Sequence, residues 1–224
     1  MTRLLTAMIA GALLSTSALA QSEAGVTFNL FDVTGFEVTR FHTYSSAERT
    51  GPERAPSVHF DMKLPIRDAY RVLVDDAPDG GVVKFNFVTQ SDPVALIENF
   101  HILDLDVPLF DEVADPNLAR GQAMADFART ILWPQSTIGF EDPQILDISG
   151  FRAGGLDGVH LIGSYIDPEI GAMLLRIALI PHPDHPKGIA ALNNINLQLV
   201  PVQGPEDLLR TLGQSLLENL EFDH

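Results

Sequence analysis

The chain predicts an α+β fold, a mainly antiparallel β-sheet packed by two or three helices. Three observations carry this expectation. Residues 159–181 hold two apolar runs, VHLIGSYI and AMLLRIALIP, joined by the turn DPEIG. Most other strand-like runs are linked by turns rather than by helices. The strongest helix starts are Asp115-Pro116 and Gly204-Pro205-Glu206-Asp207.

Residues 1–20 read as a processing signal. Arg3 is the only charge, residues 4–14 form a short apolar core, and Ala18-Leu19-Ala20 fits the small-x-small cleavage rule. That core is shorter than the roughly 20 residues a bilayer span needs. The expectation is a mature chain from Gln21 to His224, periplasmic or secreted, as one α+β domain with an irregular segment to about residue 56. The protein has no cysteine, so disulfides, thiol catalysis and Cys-ligated metal centres are excluded. The formal charge is −16, and loss of Arg3 takes it to −17. Such a surface repels nucleic acid and anionic membranes, so neither is expected as a partner.

Taken in order, residues 26–41 alternate loosely and read as edge structure, and 45–56 as an exposed loop. Val58, Phe60, Met62 and Leu64 alternate with His59, Asp61 and Lys63, which predicts a half-buried strand over 58–64. Residues 70–74 and 82–89 are two further strands around the turn DDAPDGG, forming a hairpin. Asp92-Pro93 carries a capping acid and a first-turn proline, so a short helix is expected there. Residues 103–109 alternate, but Pro108 would confine them to an edge. A helix is expected over 116–132, with Leu118, Met124, Phe127 and Ile131 near one face and Pro134 as its stop. Residues 144–149 form a short strand.

The hairpin then follows. Its apolar faces coincide only if the loop holds an odd number of residues. A five-residue loop over 167–171 puts Tyr165 opposite Met173 and Leu161 opposite Ile177. The other face then carries His160, Ile162, Ser164 and Arg176, either partly wet or covered by a helix. Residues 181–186, PHPDHP, make a rigid loop. Residues 195–202 alternate as a further strand, and the leucine stripe of 208–217 predicts a terminal helix that docks on a sheet or another helix.

From Leu118 to Phe222 the order is helix, strand, the Gly150-Phe151-Arg152-Ala153 turn, hairpin, strand, and a leucine-rich helix ending in Leu220-Glu221-Phe222. This order resembles the second half of the Mog1/PsbP-like α/β/α sandwich. The resemblance implies a small, non-enzymatic accessory or partner-binding protein with no cofactor, and a protein partner in the cell envelope.

Two residue groups are candidates for chemistry. Arg176 could hold an anion beside His160 and Ser164, giving a small-ligand site. His182, Asp184 and His185 are metal-ligand types within four residues, suited to Zn²⁺ or Cu²⁺ if the rings converge. A hydrolase with Ser164 as nucleophile and His160 as base is a third reading. It fails on distance, because four residues along a strand span about 13 Å. Asp75 to Gly80 starts like a calcium loop but has Ala77 where an oxygen ligand is needed and Asn86 where a bidentate Glu is needed. Trp133 is expected to close the core end of the long helix, the alternative being an exposed recognition patch.

Overall fold

A computed structural model describes residues 40–49, 58–76 and 81–223. The expected signal at 1–20, nearly all of the edge structure at 26–41, most of the loop at 45–56 and the tip of the DDAPDGG turn lie outside the described residues. Two antiparallel sheets are present. The small one runs β1 (Arg40–Ser45), β2 (Phe60–Ile66) and β10 (Leu220–Phe222), with β2 in the middle. The large one has seven strands in the order β3-β4-β5-β9-β8-β7-β6. These are β3 (Tyr70–Asp76), β4 (Val83–Thr89), β5 (Leu96–Asp106), β6 (Glu141–Ala153), β7 (Leu156–Asp167), β8 (Gly171–Pro181) and β9 (Lys187–Asn196). Besides the single turn α1 (Ser46–Arg49), the helices are α2 (Pro116–Phe127), α3 (Trp133–Ser136), α4 (Pro205–Leu208) and α5 (Leu212–Glu218). The architecture is α+β, as the sequence predicts.

The alternating strands fold as their patterns require. Phe60, Met62 and Leu64 are buried on β2, and Phe85 and Phe87 on β4. In the central hairpin Leu161 pairs with Ile177 and Tyr165 with Met173, the register set by the odd loop. Asp167 and Gly171 themselves pair, so three residues remain in the turn. The large sheet is covered on both faces. One face sends Phe85, Phe100, Ala178, Ile180 and Ile189 into a core shared with Phe60 and Met62 of the small sheet and Leu212, Leu216 and Leu217 of α5. The other sends Leu161, Tyr165, Met173, Leu175 and Ile177 against Met124, Ala128, Leu132 and Trp133.

Several expectations are corrected. No helix follows Asp92-Pro93, a cis peptide bond; the stretch closes the β4–β5 hairpin, with the Thr89 amide donating to the Ala95 carbonyl at 2.9 Å. The local cap signal is overridden because residues 96–106 pair with β4 and β9 along a central strand, and Pro108 falls beyond its end. The strand expected over 195–202 lies earlier, at Lys187–Asn196. It is buried on both faces, so its small apolar run shows no alternation. Past it, Asn196 turns the chain by accepting from the Gln198 amide.

The long helix does not stop at Pro134. Residues 128–132 widen into a π-helical turn and α3 continues to Ser136. Proline brings no amide, and a wider turn relieves the clash of its ring with the carbonyl four residues back. The inner face is Arg120, Met124, Ala128, Leu132 and Trp133. Leu118, Phe127 and Ile131 instead stand 58%, 37% and 42% exposed. The terminal helix is two pieces, because Thr211 breaks it and caps α5 by accepting from the Gln214 amide.

Candidate functional site

The sheet face beneath α5 gathers the first candidate group. His160 and Arg176 come together on β7 and β8, with Arg176 donating from Nε to His160 Nδ1 at 3.2 Å. Arg176 is 4% exposed, and Nη1 donates to Gln214 Oε1 of α5 at 2.5 Å. Its guanidinium also lies 4.8 Å over the Phe151 ring, on which His160 stacks at 5.2 Å. These donors are spent inside the protein, and α5 covers the face. Ser164 lies further along β7, opposite Leu174, and takes no part in the network.

The chain of hydrogen bonds continues outward through residues the sequence did not single out. His160 Nε2 is 3.0 Å from Ser149 Oγ, which donates to Asp147 Oδ2 at 2.6 Å. A histidine, a serine and an aspartate invite comparison with a catalytic triad, but the proton order is reversed. Arg176 faces Nδ1, so neutral His160 carries its hydrogen on Nε2 and donates to Ser149. A general base there would have to accept the serine proton on that nitrogen. Burial, with Arg176 close by, moreover holds His160 down to about 4, against a weaker opposing pull from Asp147. The same burial pushes Arg176 down to about 10, which leaves it charged at neutral pH.

A stability prediction follows. The unfolded chain protonates histidine near 6.5, the native state only near 4. Between these values the unfolded state binds more protons, so stability falls as pH drops through that window. His160→Gln keeps an acceptor for Arg176 and removes this loss, worth up to roughly 3 kcal/mol. Its urea midpoint, relative to the wild type, should rise as pH falls from 6.5 to 4; parallel profiles would contradict the assignment.

Glu98 was not anticipated. It sits on the buried face of β5, in line with Phe100 and Ile102, and is fully buried. Oε1 accepts from the Leu212 amide at 3.0 Å, and Oε2 from the Gly213 amide at 3.0 Å and Asn193 Nδ2 at 3.2 Å. A carboxylate from the sheet thus pins the first turn of α5, where the free amides and helix dipole favour negative charge. Burial pushes Glu98 up to about 6, although the two amides and Asn193 pull the other way. The available signal was its spacing of two and four from Phe100 and Ile102, legible only once 96–106 is read as a strand.

The metal candidates occupy the loop between β8 and β9. The rings of His182 and His185 do meet, with centroids 4.4 Å apart, but His182 is buried and its Nδ1 accepts the Asp184 amide at 3.1 Å. Among the described residues no three His, Asp or Glu side chains are arranged to hold a metal ion. The loop is held from below by Arg120, which donates to the carbonyls of His182 at 3.0 Å and His185 at 2.8 Å. Trp133 is buried, and its ring packs where a side chain on Gly163 would stand.

A cleft lies on the face of the sheet opposite α5. The long helix packs chiefly on β6, β7 and β8, at the far end of the sheet from β3 and β4, which it leaves bare on that face. Leu73 there is 52% exposed. Where the helix ends, the cleft, of about 390 Å³, opens between Leu132, Gln135 and Ser136 on one side and Lys84, Asn99 and His101 on the other, with Leu103, Leu192 and Asn194 completing it. Burial and nearby Lys84 lower the His101 pKa and keep the ring neutral.

No protein-family model matches the chain, and no curated protein does. Solved structures do. Cyanobacterial PsbP (CyanoP) from Synechocystis sp. PCC 6803 is similar at 11% identity and a TM-score of 0.48, over 84% of this chain and 96% of that one. LpqN, involved in cell envelope biogenesis of Mycobacterium tuberculosis, gives 12% and 0.43 over 89% and 100%. The Ran-binding protein Mog1p of Saccharomyces cerevisiae gives 11% and 0.40 over 81% and 96%. Two of these are the namesakes of the sandwich group that the order of elements resembles, and the likeness extends to the fold alone.

Proposed function

We propose that this is an exported, non-enzymatic accessory protein that binds a protein partner in the cell envelope. The observation that carries the reading is the bare half of the large sheet. Leu73 stands on its edge strand, β3, 52% exposed, and on the long helix Phe127 and Ile131 are half-exposed. Apolar side chains on a rigid sheet and helix, rimmed by Arg71, Asp75 and Lys84, form the kind of surface that partner-binding proteins leave uncovered. The buried face under α5 has by contrast spent its polar groups internally. Export rests on the signal-like residues 1–20, and no cofactor, nucleic acid or membrane insertion belongs to the reading. Among the described residues no helix is long and apolar enough to cross a membrane.

Affinity capture from the native envelope tests it, comparing the wild type with Leu73→Glu/Ile131→Glu. Both positions are exposed, so the double variant should keep its thermal midpoint and lose the captured partner. A partner retained at wild-type yield by the folded variant would remove this surface from the function, and recovery of no partner by the wild type would count against the whole reading.

A further inference from the structure

We infer that the cleft beside Lys84 is a binding site for a small carboxylate with a short apolar body. The site adjoins the proposed partner surface, which Lys84 also rims, but it rests on a different observation, the chemistry of the lining. Tyr165 donates to Asn194 Oδ1 at 2.9 Å, and Asn194 Nδ2 donates to Asn99 Oδ1 at 2.9 Å. This ladder fixes the Asn99 amide with its oxygen occupied and its NH₂ group without a partner among the described residues. Lys84 on the neighbouring strand forms no ion pair among the described residues. Ser136 adds a hydroxyl from the end of the helix.

The cleft therefore offers donors in excess of acceptors, one of them a cation, in a chain that carries 30 acidic residues against 14 basic ones. No carboxylate lines it. Asp75 pairs with Lys84 across β3 and β4 but stays outside the lining. The remaining wall is Leu103, Leu132 and Leu192, which suits a short hydrocarbon. A ligand carboxylate between Lys84 and the Asn99 amide would make charge-assisted hydrogen bonds in a partly dehydrated site, with its alkyl body against the leucines.

Hexanoate and its neutral isostere hexanamide are the probes, added to the ¹⁵N-labelled exported chain and followed by NMR. Hexanoate should shift the backbone amides of Lys84, Asn99 and Ser136 in a saturable way, and hexanamide should bind at least about tenfold more weakly. Lys84→Met keeps the stem and loses the charge; it should weaken hexanoate by about tenfold and leave hexanamide unchanged. Asn99→Asp keeps the acceptor for Asn194 and places a carboxylate in the cleft, which should abolish hexanoate binding. Equal binding of acid and amide, wild-type affinity in Lys84→Met, or no saturable shift at these residues would each overturn the proposal. None of these outcomes bears on capture of a protein partner, so the two readings fail separately.

Discussion

Glu98→Ala should destabilise the protein by about 3 kcal/mol at neutral pH, because it leaves the buried amides of Leu212 and Gly213 and the Asn193 side chain without their acceptor. The loss should grow as the solution is acidified. Glu98 has a native value of about 6 against 4.5 when exposed. Between these values the native state binds more protons than the unfolded state, so this group's contribution to stability increases as pH falls from 6 to 4.5. The shift corresponds to about 2 kcal/mol, by which the gap between wild type and variant should widen over that window. His160 acts in the opposite sense over the same range, so the wild-type profile is a partial cancellation. Removing Glu98 should unmask the acid-side loss due to His160, and removing His160 should unmask the gain due to Glu98. Urea midpoints between pH 7 and 4.5 for the two single variants read both slopes. A pH-independent gap for Glu98→Ala would show that the carboxylate is not buried against α5 as described.

Gly163→Ala should cost about 3 kcal/mol through overpacking. A β-carbon at this position would stand 2.2 Å from Trp133 Cη2 and 2.6 Å from the Gln144 carbonyl oxygen. The indole is rigid and buried, and the carbonyl belongs to a strand paired with β7, so neither can yield cheaply. Trp133 is the protein's single tryptophan, so its emission reports the event without labelling. Emission should shift to longer wavelength as the ring is displaced toward water. Trp133→Phe removes the indole atoms in question but not the Gln144 carbonyl, so in that background the alanine should cost less while keeping the part set by the strand. An unchanged cost in the double variant would mean that the strand, not the indole, sets the penalty.

The parts of the fold that were legible share one physical property. β2, β4 and β7 each bury one face more than the other, so alternation marks the strand; β8 is buried on both faces, and its register with β7, Leu161 opposite Ile177, follows from the odd loop. A strand buried on both faces with no such loop to set it is harder to read. β9 has no wet side, so Lys187-Gly188-Ile189-Ala190-Ala191 carries no periodic signal. The inner face of the long helix was misread because large apolar side chains were assumed to point inward. Arg120 and Ala128 take inner positions beside Met124, Leu132 and Trp133, while Leu118, Phe127 and Ile131 stay exposed.

The candidate site was legible only as a face. Period two places His160, Ser164 and Arg176 together, and the mixed character of that face leaves it either partly wet or covered by a helix. That Arg176 would be closed by Gln214, 38 residues away, depends on where α5 docks, and that is fixed by Glu98, more than a hundred residues earlier. Contacts of this range leave no local pattern. The bare half of the sheet was equally invisible, since it exists only because the helix lies to one side of it.

Photo-crosslinking in intact cells separates the bare sheet face from the rest of the surface. A photoreactive residue at position 73 reports on the sheet face, and one at position 209, where Leu209 is 62% exposed beside α4, reports on the opposite layer. If the bare sheet is the functional surface, position 73 yields a discrete adduct with an envelope protein and position 209 yields none. An adduct from position 209 alone, or no adduct from position 73, would contradict it.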